Sequence, residues 1–247
     1  MSENRSEMAA SFDRAADVYE RSRPEYPAEA VGWLLPEGAA TVLDLGAGTG
    51  KLTRALAARG LEVYAIDPSS RMLDQLRAAI PDAIISVGTA EDIPLADASV
   101  DAILVGQAWH WVDQDVALPS VARVLKPGGT LGLIWNIRDE RVAWVARLTA
   151  VMHSAEGEVF LETGHIDRGP FGEIESASFE WSRDFTRDEL LDLVRSRSYF
   201  ITASPEEQAS ILRGVGELLE RDPDVGGREK WTMPYVTRAF RMRLPAS

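Results

Sequence analysis

The chain reads as an α/β protein built on a doubly wound, mostly parallel sheet, and three observations carry that reading. Short apolar runs alternate with helical stretches between residues 41 and 135, the pattern that parallel strands with crossover helices produce. The first run, Thr41–Leu45, passes into Gly46-Ala47-Gly48-Thr49-Gly50 and at once into a helix-like Lys51-Leu52-Thr53-Arg54, so a ligand can lie against bare backbone there. With 247 residues and 45% hydrophobic content, the chain can bury one large core.

The later elements follow in order. Strand-like runs recur at residues 61–66, 83–87, 100–105 and 130–135. Between the first two, Ser69 or Ser70 caps a helix carrying Met72, Leu73 and Leu76, and Pro81 marks its exit. Ahead of the last, Pro119 is expected to start or kink a helix through Val121, Val124 and Leu125, and Lys126-Pro127-Gly128-Gly129 reads as the turn that ends it. Residues 141–158 read as one further helix. The alternation then breaks: Thr186-Arg187-Asp188-Glu189 and Ser204-Pro205-Glu206-Glu207 are both capping boxes, and Ile211, Leu212, Val215, Leu218 and Leu219 form one apolar stripe. Two helices are therefore expected between a strand near 174–181 and a final one near 231–241.

The spacing of the glycine loop narrows its ligand. A dinucleotide fingerprint, Gly-x-Gly-x-x-Gly, needs its third glycine where Lys51 stands. A phosphate-cradling loop needs glycine five residues before the Gly-Lys pair and Ser or Thr after it, where Leu45 and Leu52 stand. Asp44, two residues before the first glycine, would repel phosphate and suits a ligand with an amine. A tight turn without a ligand is the competing reading, but three glycines in five residues are costly for a loop that only turns. Asp67, ending the second strand, can accept both hydroxyls of an adenosine ribose.

Asp44-x-Gly46-x-Gly48-x-Gly50 resembles the first motif of the class I S-adenosylmethionine-dependent methyltransferases. That resemblance implies S-adenosyl-L-methionine as cofactor and a Rossmann-like seven-stranded sheet with an antiparallel C-terminal strand and helical insertions. It implies one domain over 1–247: cofactor-covering helices in 1–36, a cofactor-binding core in 37–137, and insertions with a closing hairpin on the substrate side in 138–247. Asp44, Gly46, Ala47, Gly48, Gly50, Asp67 and Met72 fall to the cofactor on this basis. Gly88-Thr89-Ala90-Glu91-Asp92 resembles the adenine-binding loop, with Ala90 giving backbone and Glu91 its carboxylate. Gly106-Gln107-Ala108-Trp109-His110-Trp111 resembles a stretch of a subgroup that includes trans-aconitate methyltransferases; Gln107 and Trp109 fall to the cofactor and Trp111 to the substrate.

His110 is the candidate catalytic group, as general base or as a packed ring that orients the loop. Near the N-terminus, residues 12–19 and 23–27 match the same subgroup. Arg23 is the candidate partner of the methionine carboxylate, with Tyr19 and Tyr26 covering the site, Tyr26 on the substrate side; an amphipathic helix packed on the sheet is the alternative. Arg138 is the candidate grip on an anionic acceptor, because Arg binds carboxylates in a bidentate way.

Composition sets the limits. A net charge of −13 repels nucleic acid, and no Lys/Arg run offsets it. The 18 or so apolar residues of a membrane span are missing, and residues 1–12 carry no signal-type run, so a cytoplasmic location is expected. Zero cysteines exclude disulfides, thiolate metal sites and cysteine-mediated pyrimidine methylation, and three scattered histidines suggest no metal cluster. No Asn/Asp-Pro-Pro-Tyr follows the fourth strand, against amino-methylation of bases. The expectation is methyl transfer to a small molecule, at a carboxylate or hydroxyl oxygen; a nicotinamide oxidoreductase and a non-catalytic cofactor-binding regulator are the alternatives. Oligomeric state is not legible.

Overall fold

The computed structural model describes residues 23–152 and 156–246. Seven strands form one sheet: β1 (Thr41–Leu45), β2 (Glu62–Asp67), β3 (Ile84–Val87), β4 (Val100–Gly106), β5 (Leu125–Arg138), β6 (Glu175–Phe185) and β7 (Trp231–Arg243), in the order β3-β2-β1-β4-β5-β7-β6. Strands β1 to β5 pair in parallel; β7 runs antiparallel to β5, with Leu244 bonded to Gly129 at one end and Asp139 to Pro234 at the other. The order reverses at β1, where a doubly wound sheet opens its binding crevice.

The chain forms two compact units. The larger, Glu25–Asn136 with Phe160–Phe179 and Thr237–Ser247, contains β1 to β4 and the helices α1 (Ala28–Leu34), α2 (Lys51–Ala57), α3 (Ser70–Ala79) and α4 (Gln114–Val124). Its core joins Val31 and Leu34 of α1 and Leu52 and Leu56 of α2 to Val42, Leu104 and Ile134 of the strands. Leu73 and Leu76 of α3 close a second cluster on Ala65. Ser69 caps α3 as expected, its hydroxyl accepting from Met72 N at 3.2 Å.

Two local expectations change here. Of the two readings of Pro119 the helix start falls, since the residue lies inside α4, which begins earlier, at Gln114. The turn expected at Lys126-Pro127-Gly128-Gly129 is absorbed into β5: the register jumps from Val100–Leu125 to Ala102–Thr130, and Gly128 takes φ +78°. Leu125 and Thr130 pair with β4 on either side, and the four residues between them, without β4 partners, form the irregularity that takes up the excess.

The smaller unit, whose described part is Arg23, Pro24, Ile137–Val159 and Glu180–Val236, holds α5 (Ala143–Met152), α7 (Arg187–Arg195), α8 (Ser198–Thr202) and α9 (Pro205–Arg221); α6 (Glu156–Thr163) begins in it. The single helix expected over 141–158 is thus α5 and the start of α6, and three helices rather than two separate β6 from β7. Both capping boxes are present, at Thr186–Glu189 and Ser204–Glu207. Ile211, Val215 and Leu219 of α9 are buried with Trp144 and Leu148 of α5 and Trp231 and Met233 of β7. Each such side chain contributes roughly 1.5–3 kcal/mol. Among the described residues no helix is long and apolar enough to cross a membrane.

Candidate functional site

The loop after β1 is held open by backbone geometry. Gly46, Gly48 and Gly50 have φ of +75°, +54° and +96°, which side-chain-bearing residues rarely adopt. Gly46 and Ala47 both donate to Ile66 O, at 2.8 and 3.0 Å, which seats the loop on the end of β2. A Cβ at Gly46 would lie 2.8 Å from Ala108 Cβ, and one at Gly50 2.8 Å from Leu76 Cγ, so these two glycines serve packing. At Gly48 the nearest atom would be Met72 Sδ at 3.6 Å. Of the three, Gly48 faces room.

Two acids flank the loop. Asp67, at the end of β2, accepts from Gly48 N (2.9 Å) and Ser69 N (2.8 Å), so it orders both the loop and the head of α3. Asp44 is 1% exposed; Oδ2 accepts from Thr53 Oγ1 at 2.6 Å, while Oδ1 has no hydrogen-bond partner among the described residues. Burial pushes its carboxyl up to about 7, against the opposing bond from Thr53. A cationic amine would repair both defects. That orphaned oxygen, the room at Gly48 and the carboxylate of Asp67 together fit S-adenosyl-L-methionine.

The neighbouring loops present the remaining candidates. Ala90 is buried, and Glu91 Oε1 accepts from Asp113 N at 3.1 Å, fastening its loop to the start of α4. Gln107 has φ +58°, strained for a non-glycine residue; its amide nitrogen donates to Ile134 O and its Nε2 to Asn136 O. Trp109, His110 and Trp111 form one 3-10 turn. Trp109 does not offer a face to a ligand as expected: it is 0% exposed and its Nε1 donates to Gln114 Oε1 at 3.2 Å, so it anchors the turn. His110 stands among aromatic rings, with Trp111 at 4.8 Å and Phe160 at 6.4 Å between centroids. Its Nδ1 accepts from Trp135 Nε1 at a long 3.5 Å. Tyr26 extends its hydroxyl to Gly106, where a Cβ would lie 2.6 Å away.

In the smaller unit, Arg23 Nη2 donates to Ser196 O at 3.2 Å. Arg138 is buried, its Nε donating to Thr149 Oγ1 (3.2 Å) and its Nη2 paired with Glu158 Oε2 (3.1 Å). Tyr19 lies outside the described residues. No group of three His, Cys, Asp or Glu side chains able to hold a metal occurs among the described residues. Sequence reasoning missed Thr53, nine residues from Asp44 and unremarkable in its helix, and Asn136, which carries Gln107 on its carbonyl and accepts from Thr237 Oγ1 at 2.6 Å.

A methyltransferase-domain family model matches residues 43–133, from β1 to within β5. The chain is 48% identical over 241 residues to an uncharacterized methyltransferase of Mycobacterium tuberculosis, Rv3342, covering 98% of both chains. It is 33% identical over 181 residues to a malonyl-[acyl-carrier protein] O-methyltransferase of Pseudescherichia vulneris, covering 68% of this chain and 71% of that one. Among solved structures, a chain from Anaeromyxobacter dehalogenans, provisionally assigned as a type II methyltransferase, superimposes with TM-score 0.66 at 24% identity, over 91% of this chain and 99% of that one.

Proposed function

The chain belongs to the class I S-adenosylmethionine-dependent methyltransferases, and on that premise we propose that it methylates an oxygen of a small molecule, a carboxylate before a hydroxyl. Membership sets aside the nicotinamide and non-catalytic alternatives. The observation that carries the choice of acceptor is His110. Its Nδ1 accepts from the Trp135 indole at 3.5 Å, which supports the reading of His110 as a packed ring that orients the loop rather than as the general base. A carboxylate acceptor needs none, because it is already ionised. The O-methyltransferase named among the relatives supports the same reading.

When bound, the cofactor supplies a methyl group already activated on a sulfonium, so the protein's work is to hold, orient and exclude water. In this proposal Asp44 meets the cofactor amine, Asp67 its ribose hydroxyls, and Gly46, Ala47, Gly48 and Gly50 its backbone-facing side. Met72, Ala90, Glu91 and Gln107 complete the cofactor's surroundings, and Trp111 and Tyr26 belong to the acceptor; for Arg23, Tyr19 and Arg138 the roles expected from sequence, at the methionine carboxylate and on an anionic acceptor, are left to variants at those positions. The surface charge of −13 supports a small acceptor over a nucleic acid.

A methyl-transfer screen over small acids and phenols tests the reaction. On the best acceptor, the carboxylate reading expects Arg138→Ala to raise KM strongly and His110→Ala to leave the rate above about pH 6 nearly unchanged. A pH-dependent rate that collapses in His110→Ala would instead mark a hydroxyl acceptor.

A further inference from the structure

In the smaller unit two buried arginines carry more positive charge than the described residues pair. Arg138 and Arg197 are 3% and 4% exposed. Arg138 shares its charge with Glu158, yet its Nη1 has no hydrogen-bond partner among the described residues. Arg197, between α7 and α8, makes no ion pair and no side-chain hydrogen bond among the described residues, and its Nε is buried and unsatisfied. The Tyr235 hydroxyl on β7 is buried and unsatisfied too. Arg138 and Tyr235 are neighbours across the β5–β7 pairing, where Asp139 N donates to Pro234 O, and the charges of both guanidiniums reach the Tyr235 and Tyr199 hydroxyls, opposing the upward push of burial. Arg23 acts on the same hydroxyls.

A guanidinium taken out of water without a counter-charge destabilises a fold, and an apolar side chain of like size would pack there at lower cost. Such a guanidinium, with two further orphaned donors in the same unit, fits a negative partner that the described residues do not supply. We propose that Arg197, Arg138 and Tyr235 form a binding site for the carboxylate of a small organic acid. Nε lies on the side of the guanidinium fork that meets a planar carboxylate in two parallel bonds, and Arg138 Nη1 and Tyr235 Oη supply donors for the remaining lone pairs. Glu158, already on Arg138, opposes a second negative charge on the same group, which favours a carboxylate over a phosphate dianion. The use of this site to hold the methyl acceptor rests on the reaction proposed above; the binding itself does not.

The test uses the full chain without cofactor, with calorimetry and thermal melting against acetate, succinate and benzoate, their neutral amides, and inorganic phosphate. At least one acid binds and raises the melting temperature while its amide does not. Arg197→Met loses that affinity by about tenfold or more and, unliganded, melts at or above the wild type. Tyr235→Phe weakens binding several-fold while keeping the ring packed. The proposal is overturned if none of the acids binds, if phosphate binds more tightly than every acid, or if both variants bind like wild type. It is equally overturned if Arg197→Met melts below wild type, since the guanidinium then belongs to the fold. Acid binding without methyl transfer would leave this site standing and remove the reaction; transfer without acid binding would do the reverse.

Discussion

Asp44 shows how a single residue can couple the fold to its ligand. The carboxyl is buried with one oxygen bonded to Thr53 and the other unpaired, and burial raises it to about 7. A carboxyl whose folded value lies above its unfolded one favours the folded state in its protonated form. Its contribution is therefore complete below about pH 4 and is lost as pH rises through about 7. Asp44→Asn should flatten the melting temperature across that window. The amine of the cofactor reverses the preference, so binding near pH 6 should expel a proton, read as a dependence of the calorimetric heat on buffer ionisation enthalpy. Equal proton release from Asp44→Asn would remove Asp44 from that role. The roles proposed for Asp44 and Asp67 come from the sequence, because their offsets from the glycines carry the signal. Those proposed for Arg197 and Tyr235 do not: each is one of a common residue type, and only long-range packing leaves them buried and unsatisfied together.

Among the elements, the glycine loop divides its labour. Gly46 and Gly50 are packed against Ala108 and Leu76, whereas Gly48 has room before Met72. Gly48→Val places a β-branched side chain into that room at a φ of +54°, so it should abolish S-adenosylmethionine binding by calorimetry and cost roughly 1–3 kcal/mol of stability. Unchanged affinity in a folded variant would move the cofactor elsewhere. The element ends read best from sequence were those set within one turn, the capping boxes at Thr186 and Ser204 and the cap at Ser69. Those read worst were decided by neighbours. Lys126-Pro127-Gly128-Gly129 carries every local mark of a turn and stands as an irregularity within β5, between Leu125 and Thr130 that pair with β4, and Pro119 sits inside a helix that buries Leu118, Val121 and Val124.

For the whole molecule, alternation of strand and helix made the parallel half of the sheet legible, because each βαβ unit leaves its own periodic trace. The antiparallel closure by β7 and β6 came only from the family resemblance, and the helices between them showed as caps and stripes without their partners. The acceptor left the faintest trace, since it is read by side chains scattered over several elements. The central claim is that this chain seats S-adenosylmethionine on the loop after β1, with Asp67 as the ribose partner. Titration of S-adenosylmethionine, its demethylated product and NAD into wild type and Asp67→Ala tests it most directly. The first two should bind and NAD should not, and the variant should lose about 1.5–3 kcal/mol of affinity through two charge-assisted hydrogen bonds. NAD binding in place of S-adenosylmethionine, or equal affinities in the two proteins, would contradict it.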